Sequence, residues 1–213
     1  MRQEDVTAEA RQGERIALFG GSFDPPHRGH IAIARAAAEA FGLDRVIFTP
    51  TGLQPLKPGG AAAGYADRLA MAALVCELDP RFSVSEMDRP REDGRPNYTV
   101  DTLEAMREQQ MPEAELFALV GADSFLELPR WRRSQRLLKL AEWIVVSRPG
   151  FSLTDIRGAG VPAEMMSRVH LLATVQERVS ATELRGRLKR GEDCRDSVPE
   201  AVLGYVREHG LYQ

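Results

Sequence analysis

Short apolar runs that alternate with helical stretches constrain the fold of this chain more than anything else in it. The runs are Arg15–Gly20, Asp44–Pro50, Arg81–Glu86, Glu115–Val120, Trp143–Ser147 and Val169–Leu172. Each is too short for a core helix and most are apolar on both faces, so they have to be buried on both faces. That requires a mostly parallel sheet with helices above and below it. The expected helices are Ile31–Phe41, Tyr65–Leu78, Thr99–Gln109, Ser180–Lys189 and Pro199–His209. Leu69, Ala72, Ala73 and Cys76 fall at helical spacing in the second, and Gly42 ends the first. The pattern predicts an α/β, doubly wound parallel sheet with right-handed crossovers and a C-terminal helical segment.

With 213 residues and no linker or repeat, one domain over residues 15–213 is expected. Residues 1–14, MRQEDVTAEARQGE, read as a polar leader, not a signal peptide. No apolar run is long enough to span a membrane. A net charge of −3 gives no general pull toward nucleic acid or acidic membrane. The arginines at 130, 132, 133 and 136 accordingly read as a solvated helix face. Cys76, in AALVCEL, reads as a small buried hydrophobe, and Cys194, in GEDCRDS, as part of an exposed loop. Two cysteines in such different settings suggest a reducing, cytoplasmic location and no metal site. The oligomeric state stays open, a homo-oligomer included.

Open sheets of this class bind ligands beyond the carboxyl ends of their strands, at a switch point in strand order. The loops after Phe19, Pro50 and Val120 all follow predicted strands and should line one crevice. The first reads Gly20-Gly21-Ser22-Phe23-Asp24-Pro25-Pro26-His27-Arg28-Gly29-His30. Its glycines let backbone approach a ligand closely, and Pro26 sets φ before the helix. His27 and His30 are three apart and can share one face at the helix start. Free N–H groups and the positive dipole end lie there too, so two imidazoles and a helix terminus point at one anion. No third ligand follows to complete a metal site. Late in the chain, Ser180 or Thr182 can cap a helix, with Glu183 placed as in a capping box. Arg185 then projects from the first turn, where phosphate is favoured.

The His27-Arg28-Gly29-His30 string and the segment Val179-Ser180-Ala181-Thr182-Glu183-Leu184-Arg185 resemble the two signatures of the nucleotidyltransferase superfamily. Within it, the chain resembles the bacterial nicotinate-nucleotide adenylyltransferases from Ile16 to Tyr212. The resemblance includes Leu56-Lys57-Pro58, Arg68-Leu69-Ala70-Met71, Asn97 to Leu103, Val120 to Phe125, Trp131, Ser147-Arg148-Pro149-Gly150, and the closing Val198-Pro199-Glu200, Tyr205 and Gly210-Leu211-Tyr212. Two positions depart from it: Leu56 stands where histidine is common, and Ala181 replaces a hydroxyl residue.

The resemblance implies a Rossmann-like fold and an enzyme of NAD biosynthesis. It would transfer AMP from ATP to nicotinate mononucleotide, giving nicotinate adenine dinucleotide and pyrophosphate. His27, His30 and Arg185 would be catalytic. ATP would lie against Gly20, Gly21, Ser22, Phe23, His27, Gly29, His30, Gly121, Asp123, Arg148, Ser180, Thr182 and Arg185. Nicotinate mononucleotide would meet Ser22, Lys57, Tyr98, Thr99, Asp123, Trp131 and Arg132. Mg²⁺ would arrive with the ATP phosphates, without protein ligands. Read from their neighbours alone, Asp123 can accept from ribose hydroxyls or cap a helix, and Trp131 can stack on a pyridine ring or pack beneath its arginines. The alternatives weighed are a related adenylyltransferase acting on nicotinamide mononucleotide or phosphopantetheine, a non-catalytic adenine-nucleotide sensor, and a serine hydrolase using Ser22 with His27. The last is disfavoured because no Gly-x-Ser-x-Gly elbow surrounds Ser22.

Overall fold

Alternation along the first strand, β1 (Arg15–Gly21), sets the layering of the molecule. Ile16 and Leu18 enter one core, and Ala17 and Phe19 enter the other. The protein is described here from a computed structural model covering residues 13–53, 60–147, 160–173 and 180–213, the side chains of residues 109 and 110 apart. Beside β1 lie β2 (Arg45–Pro50), β3 (Phe82–Val84), β4 (Glu115–Gly121), β5 (Glu142–Val146) and β6 (Val169–Leu172). The six strands are all parallel, in the order β3-β2-β1-β4-β5-β6. The doubly wound sheet expected from the sequence is therefore present. Its order reverses between β1 and β4, and the carboxyl ends of these two strands are the switch point.

Both faces are covered, as the apolar strands require. One core holds Ala17, Phe19, Phe48, Phe117 and Ile144 against α1 (Arg28–Phe41), α2 (Tyr65–Cys76) and the last helix, α7 (Glu200–Glu208). The other holds Ile16, Leu18, Leu116, Trp143 and Val145 against α3 (Thr99–Ala105), α4 (Ala122–Leu126) and α5 (Ser134–Leu140). A further helix among the described residues, α6 (Ala181–Lys189), is anchored by the buried Leu184. No helix among the described residues is long and apolar enough to cross a membrane.

Several elements differ from the sequence reading. α1 starts at Arg28, a turn before the alanine-rich stretch, because Gly29 and His30 already lie in its first turn. The expected helix 99–109 changes to a wider π turn at Met106–Gln110. α4 and α5 carry no bounds in the sequence reading, which expects a helix only from the capping option at Asp123 and the arginine face at 130–136. α4 is a single turn, too short for periodicity, and α5 buries Leu137, Leu138 and Leu140 behind an arginine-rich surface. Cys194 is not on an exposed surface: it is 2% exposed and belongs to the core with Val198 and Val202. The turn Cys194–Val198, closed by hydrogen bonds from the Ser197 and Val198 N–H groups to Cys194 O, folds its thiol inward while the charged neighbours face out. Cys76 is only partly buried. Of the expected leader, residues 1–12 lie outside the described residues, and Glu14 pairs with Arg45 at 2.6 Å.

Candidate active site

The loop leaving β1 bends over the sheet end on an aromatic floor. Phe23, at φ +47°, is 1% exposed, and its ring meets Phe19 edge-on at 5.5 Å and His30 at 5.0 Å. The Phe23 side chain thus belongs to the core. A Cβ added at Gly20 or Gly121 would meet nothing within 4 Å. Neither glycine has a positive φ, so crowding and backbone strain explain neither; what they leave open is space above the switch point.

The histidines form one unit. His27 is the N-cap residue of α1, with extended backbone, and His30 lies three residues on. Their rings stack at 3.7 Å. The His27 backbone N–H donates to His30 Nδ1 at 3.2 Å, so the ring proton of neutral His30 sits on Nε2 as a donor. Burial, then the neighbouring His27, hold His30 well below the ordinary histidine pKa. Burial lowers His27 to about 4. Both rings are therefore neutral at pH 7.

Depressed His27 makes a stability prediction. The unfolded chain binds its proton near pH 6.5 and the folded chain near 4, so the stability it carries is whole above about 6.5 and lost as pH falls toward 4. Between pH 7 and pH 5 the loss from His27 should be about 2 kcal/mol. Asp88, raised by burial to about 6, acts in the opposite sense across much of the same window. The test is therefore a comparison: denaturant midpoints of wild type and His27→Gln at both pH values. The variant should lose less stability on acidification, and equal losses would show that His27 does not titrate in this way.

Arg185 ties the two motifs together. Its Nη1 donates to Asp24 O at 2.8 Å and lies 3.7 Å from Asp24 Oδ2, and its Nη2 donates to Thr182 Oγ1 at 3.2 Å. Ser180 is the N-cap residue of α6 but makes no side-chain capping bond, so the expected cap chemistry is absent and Thr182 instead supports Arg185. Asp24 is 3% exposed. Arg68, equally buried, donates from Nη1 to Ser22 O at 2.8 Å and from Nε to Ala63 O at 3.2 Å, bracing the same loop.

On the other side of the switch point, Asp123 lies in the first turn of α4, whose N-cap residue is Gly121, so Asp123 does not cap that helix. Trp131 packs on core Trp143 at 6.1 Å rather than beneath its arginines. Its backbone N–H is committed to Leu128 O at 3.0 Å. Thr99 opens α3 after Tyr98, and Arg132 stacks over the Tyr98 ring at 4.7 Å. A cleft of about 310 Å³ here is lined by Arg91, Arg95, Pro96, Tyr98, Asp101 and Arg132. Arg130 pairs with Glu127, Arg133 with Asp101 and Glu104, and Arg136 with Glu104.

Comparison with known proteins shows the family. Residues 18–187 match the family described as cytidylyltransferase-like. The chain is 42% identical over 200 residues to a protein of Roseiflexus sp. (strain RS-1) named "Probable nicotinate-nucleotide adenylyltransferase", which covers 93% of this chain and 98% of that one. To a protein of the same name from Neisseria meningitidis serogroup B it is 41% identical over 209 residues, covering 94% and 99%. The chain belongs to the nicotinate-nucleotide adenylyltransferase family. A solved nicotinic acid mononucleotide adenylyltransferase of Plasmodium falciparum, complexed with NaAD, shares the fold at a TM-score of 0.72 and 15% identity, over 93% of this chain and 97% of that one.

In this adenylyltransferase chain, Gly20, Gly21, His27, His30, Thr182 and Arg185 come together around the β1 loop. Tyr98 and Arg132 line the cleft beyond α3, and Thr99 and Trp131 are their neighbours along the chain. Gly29 is buried in α1. Lys57 and Arg148 lie outside the described residues, as do Leu56 and Val179. Asp24, Arg68 and Tyr212 have no individual role in the sequence reading, and Arg91 and Arg95 do not figure in it. Asp24 carried one signal: a charged residue between a buried aromatic and two prolines.

Proposed function

We infer that this enzyme joins the phosphate of nicotinate mononucleotide to the AMP half of ATP, releasing pyrophosphate and supplying NAD biosynthesis. A phosphate oxygen of the mononucleotide attacks the α-phosphorus of ATP. The new P–O bond forms as the bond to the bridging oxygen breaks, and the electron pair leaves with pyrophosphate. The attacking oxygen is already ionised near pH 7, so positioning and charge stabilisation are what the protein must supply. His30 donates Nε2–H to a phosphate oxygen, with His27 stacked behind it, and Arg185 offers its planar guanidinium to the triphosphate. Among the described residues no group of three or more His, Cys, Asp or Glu side chains is placed to hold a metal ion. Mg²⁺ enters this reading as part of the ATP substrate, shielding phosphate charge and keeping most of its waters.

The observation that supports this most is the junction of Arg185 with the β1 loop beside the paired histidines, over open space at the switch point. The acceptor is assigned to the cleft of Tyr98 and Arg132, with Asp123 facing the ribose. Two unpaired cysteines fit a cytoplasmic setting. The deciding experiment mixes the enzyme with ATP and, in turn, nicotinate mononucleotide, nicotinamide mononucleotide and phosphopantetheine, and measures pyrophosphate. Release with the first is expected. Release only with phosphopantetheine, or with no acceptor, would overturn the reading.

Arg185→Lys should raise the KM for ATP about tenfold, because an ammonium cannot reproduce a two-pronged contact. The KM for the mononucleotide should change much less. Equal effects on both would mean that Arg185 does not serve the triphosphate.

A further inference from the structure

The chain's penultimate residue reaches back into the loop after β1. Tyr212 adopts φ +63°, and its hydroxyl donates to Asp24 Oδ1 at 2.7 Å, across 188 residues of sequence. Asp24 Oδ1 also accepts from Ala63 N–H at 3.0 Å, and Oδ2 accepts from Ala62 N–H at 2.6 Å. With Arg185 Nη1 at 3.7 Å from Oδ2, both carboxylate oxygens carry two partners. A carboxylate so surrounded has one orientation, and its loss would leave buried donors unpaired. Its own backbone carbonyl takes the direct bond from Arg185. Two of the five N–H donors of Arg185 are committed in these contacts, and the side chain remains 30% exposed. The turn before Tyr212 holds the C-terminus down through Leu211 N–H to Val206 O at 3.0 Å, and the Tyr212 ring packs against the core. Burial and Asp24 both push the Tyr212 phenol above its ordinary pKa, which keeps it a donor.

We propose that Asp24 and Tyr212 are positioning residues that aim Arg185 at the ATP phosphates, the C-terminal tyrosine fixing the carboxylate that the arginine rests against. Neither touches substrate. The proposal rests on the function inferred above, which makes Arg185 a ligand of ATP.

Tyr212→Phe keeps the ring and removes only the donor. It should raise the KM for ATP about three- to tenfold, as expected for the loss of one hydrogen bond acting through its neighbour, and leave the KM for nicotinate mononucleotide within about twofold. In an Arg185→Lys background the same change should add less than about twofold, since there is no longer a guanidinium to aim. Asp24→Asn, which turns an amide donor toward one of the present donors, should show the same selectivity with a larger effect. Should Tyr212→Phe melt well below wild type, Asp24→Asn in both backgrounds carries the test, with soluble protein quantified by active-site titration. Equal factors in the two backgrounds, or equal effects on both KM values, would reduce Asp24 and Tyr212 to structural residues and overturn the proposal. Failure of the wild type to release pyrophosphate with nicotinate mononucleotide would instead sink the function itself, and this proposal with it.

Discussion

His30→Ala is expected to lower kcat by at least about 100-fold, the usual cost of removing one preorganised donor from a site where charge develops. The geometry makes His30 the stronger of the two histidines. Its Nδ1 is held by the His27 N–H, so its Nε2–H is available as a donor without a change of tautomer. Its ring rests on Phe23 and Phe19 at 5.0 and 6.0 Å, which fixes its direction before substrate arrives. Truncation to alanine also removes this packing, so His30→Gln serves as the companion variant, keeping bulk and an N–H donor at a shifted position. The alanine form should melt as a folded protein and bind ATP within a few-fold of wild type, while single-turnover rates fall. Near wild-type turnover in a folded His30→Ala protein would remove the histidine pair from the mechanism, and with it the reason for neutral, buried rings at this helix start.

The acceptor preference should be the next largest effect. Nicotinate carries a carboxylate where nicotinamide has a neutral amide, so a site that presents donors leaves one of them facing the amide NH₂ unpaired. An unpaired buried donor costs about 1–3 kcal/mol, which translates into roughly ten- to a hundredfold in kcat/KM. The candidate donors are the Thr99 N–H at the start of α3 and the Arg132 N–H; the Trp131 N–H is excluded by its bond to Leu128 O. The arginines that line the cleft, Arg91, Arg95 and Arg132, add a positive field of the right sign. A kcat/KM ratio near one, or in favour of nicotinamide mononucleotide, would contradict this while leaving adenylyl transfer intact. Trp131→Ala should lower kcat/KM for the acceptor and leave the KM for ATP close to wild type. Because Trp131 also packs on Trp143, a drop in melting temperature with unchanged acceptor kinetics would make it a core residue alone.

What the sequence by itself determined is the part that depends on local pattern. Runs such as RIALFG and ELFALV, apolar on successive residues, can be satisfied only inside a covered sheet, and each of the six expected strands is present. The histidine spacing likewise places two rings together through one turn of helix, whatever surrounds them. Tertiary structure decided the rest. Cys194 looked exposed because its neighbours along the chain are charged, whereas burial is set by which way a turn folds. Arg185 was legible as a phosphate-facing residue of a helix start, but its partner Asp24 lies 161 positions away. Tyr212 meets the same carboxylate across 188 positions. Neither distance is visible to periodicity, which reports only how a residue faces its own element. The fold brings the loop at the carboxyl end of β1 and α6 together, and α7 returns the C-terminus beside them. A carboxylate that closes those three segments on one arginine exists only after that order has formed.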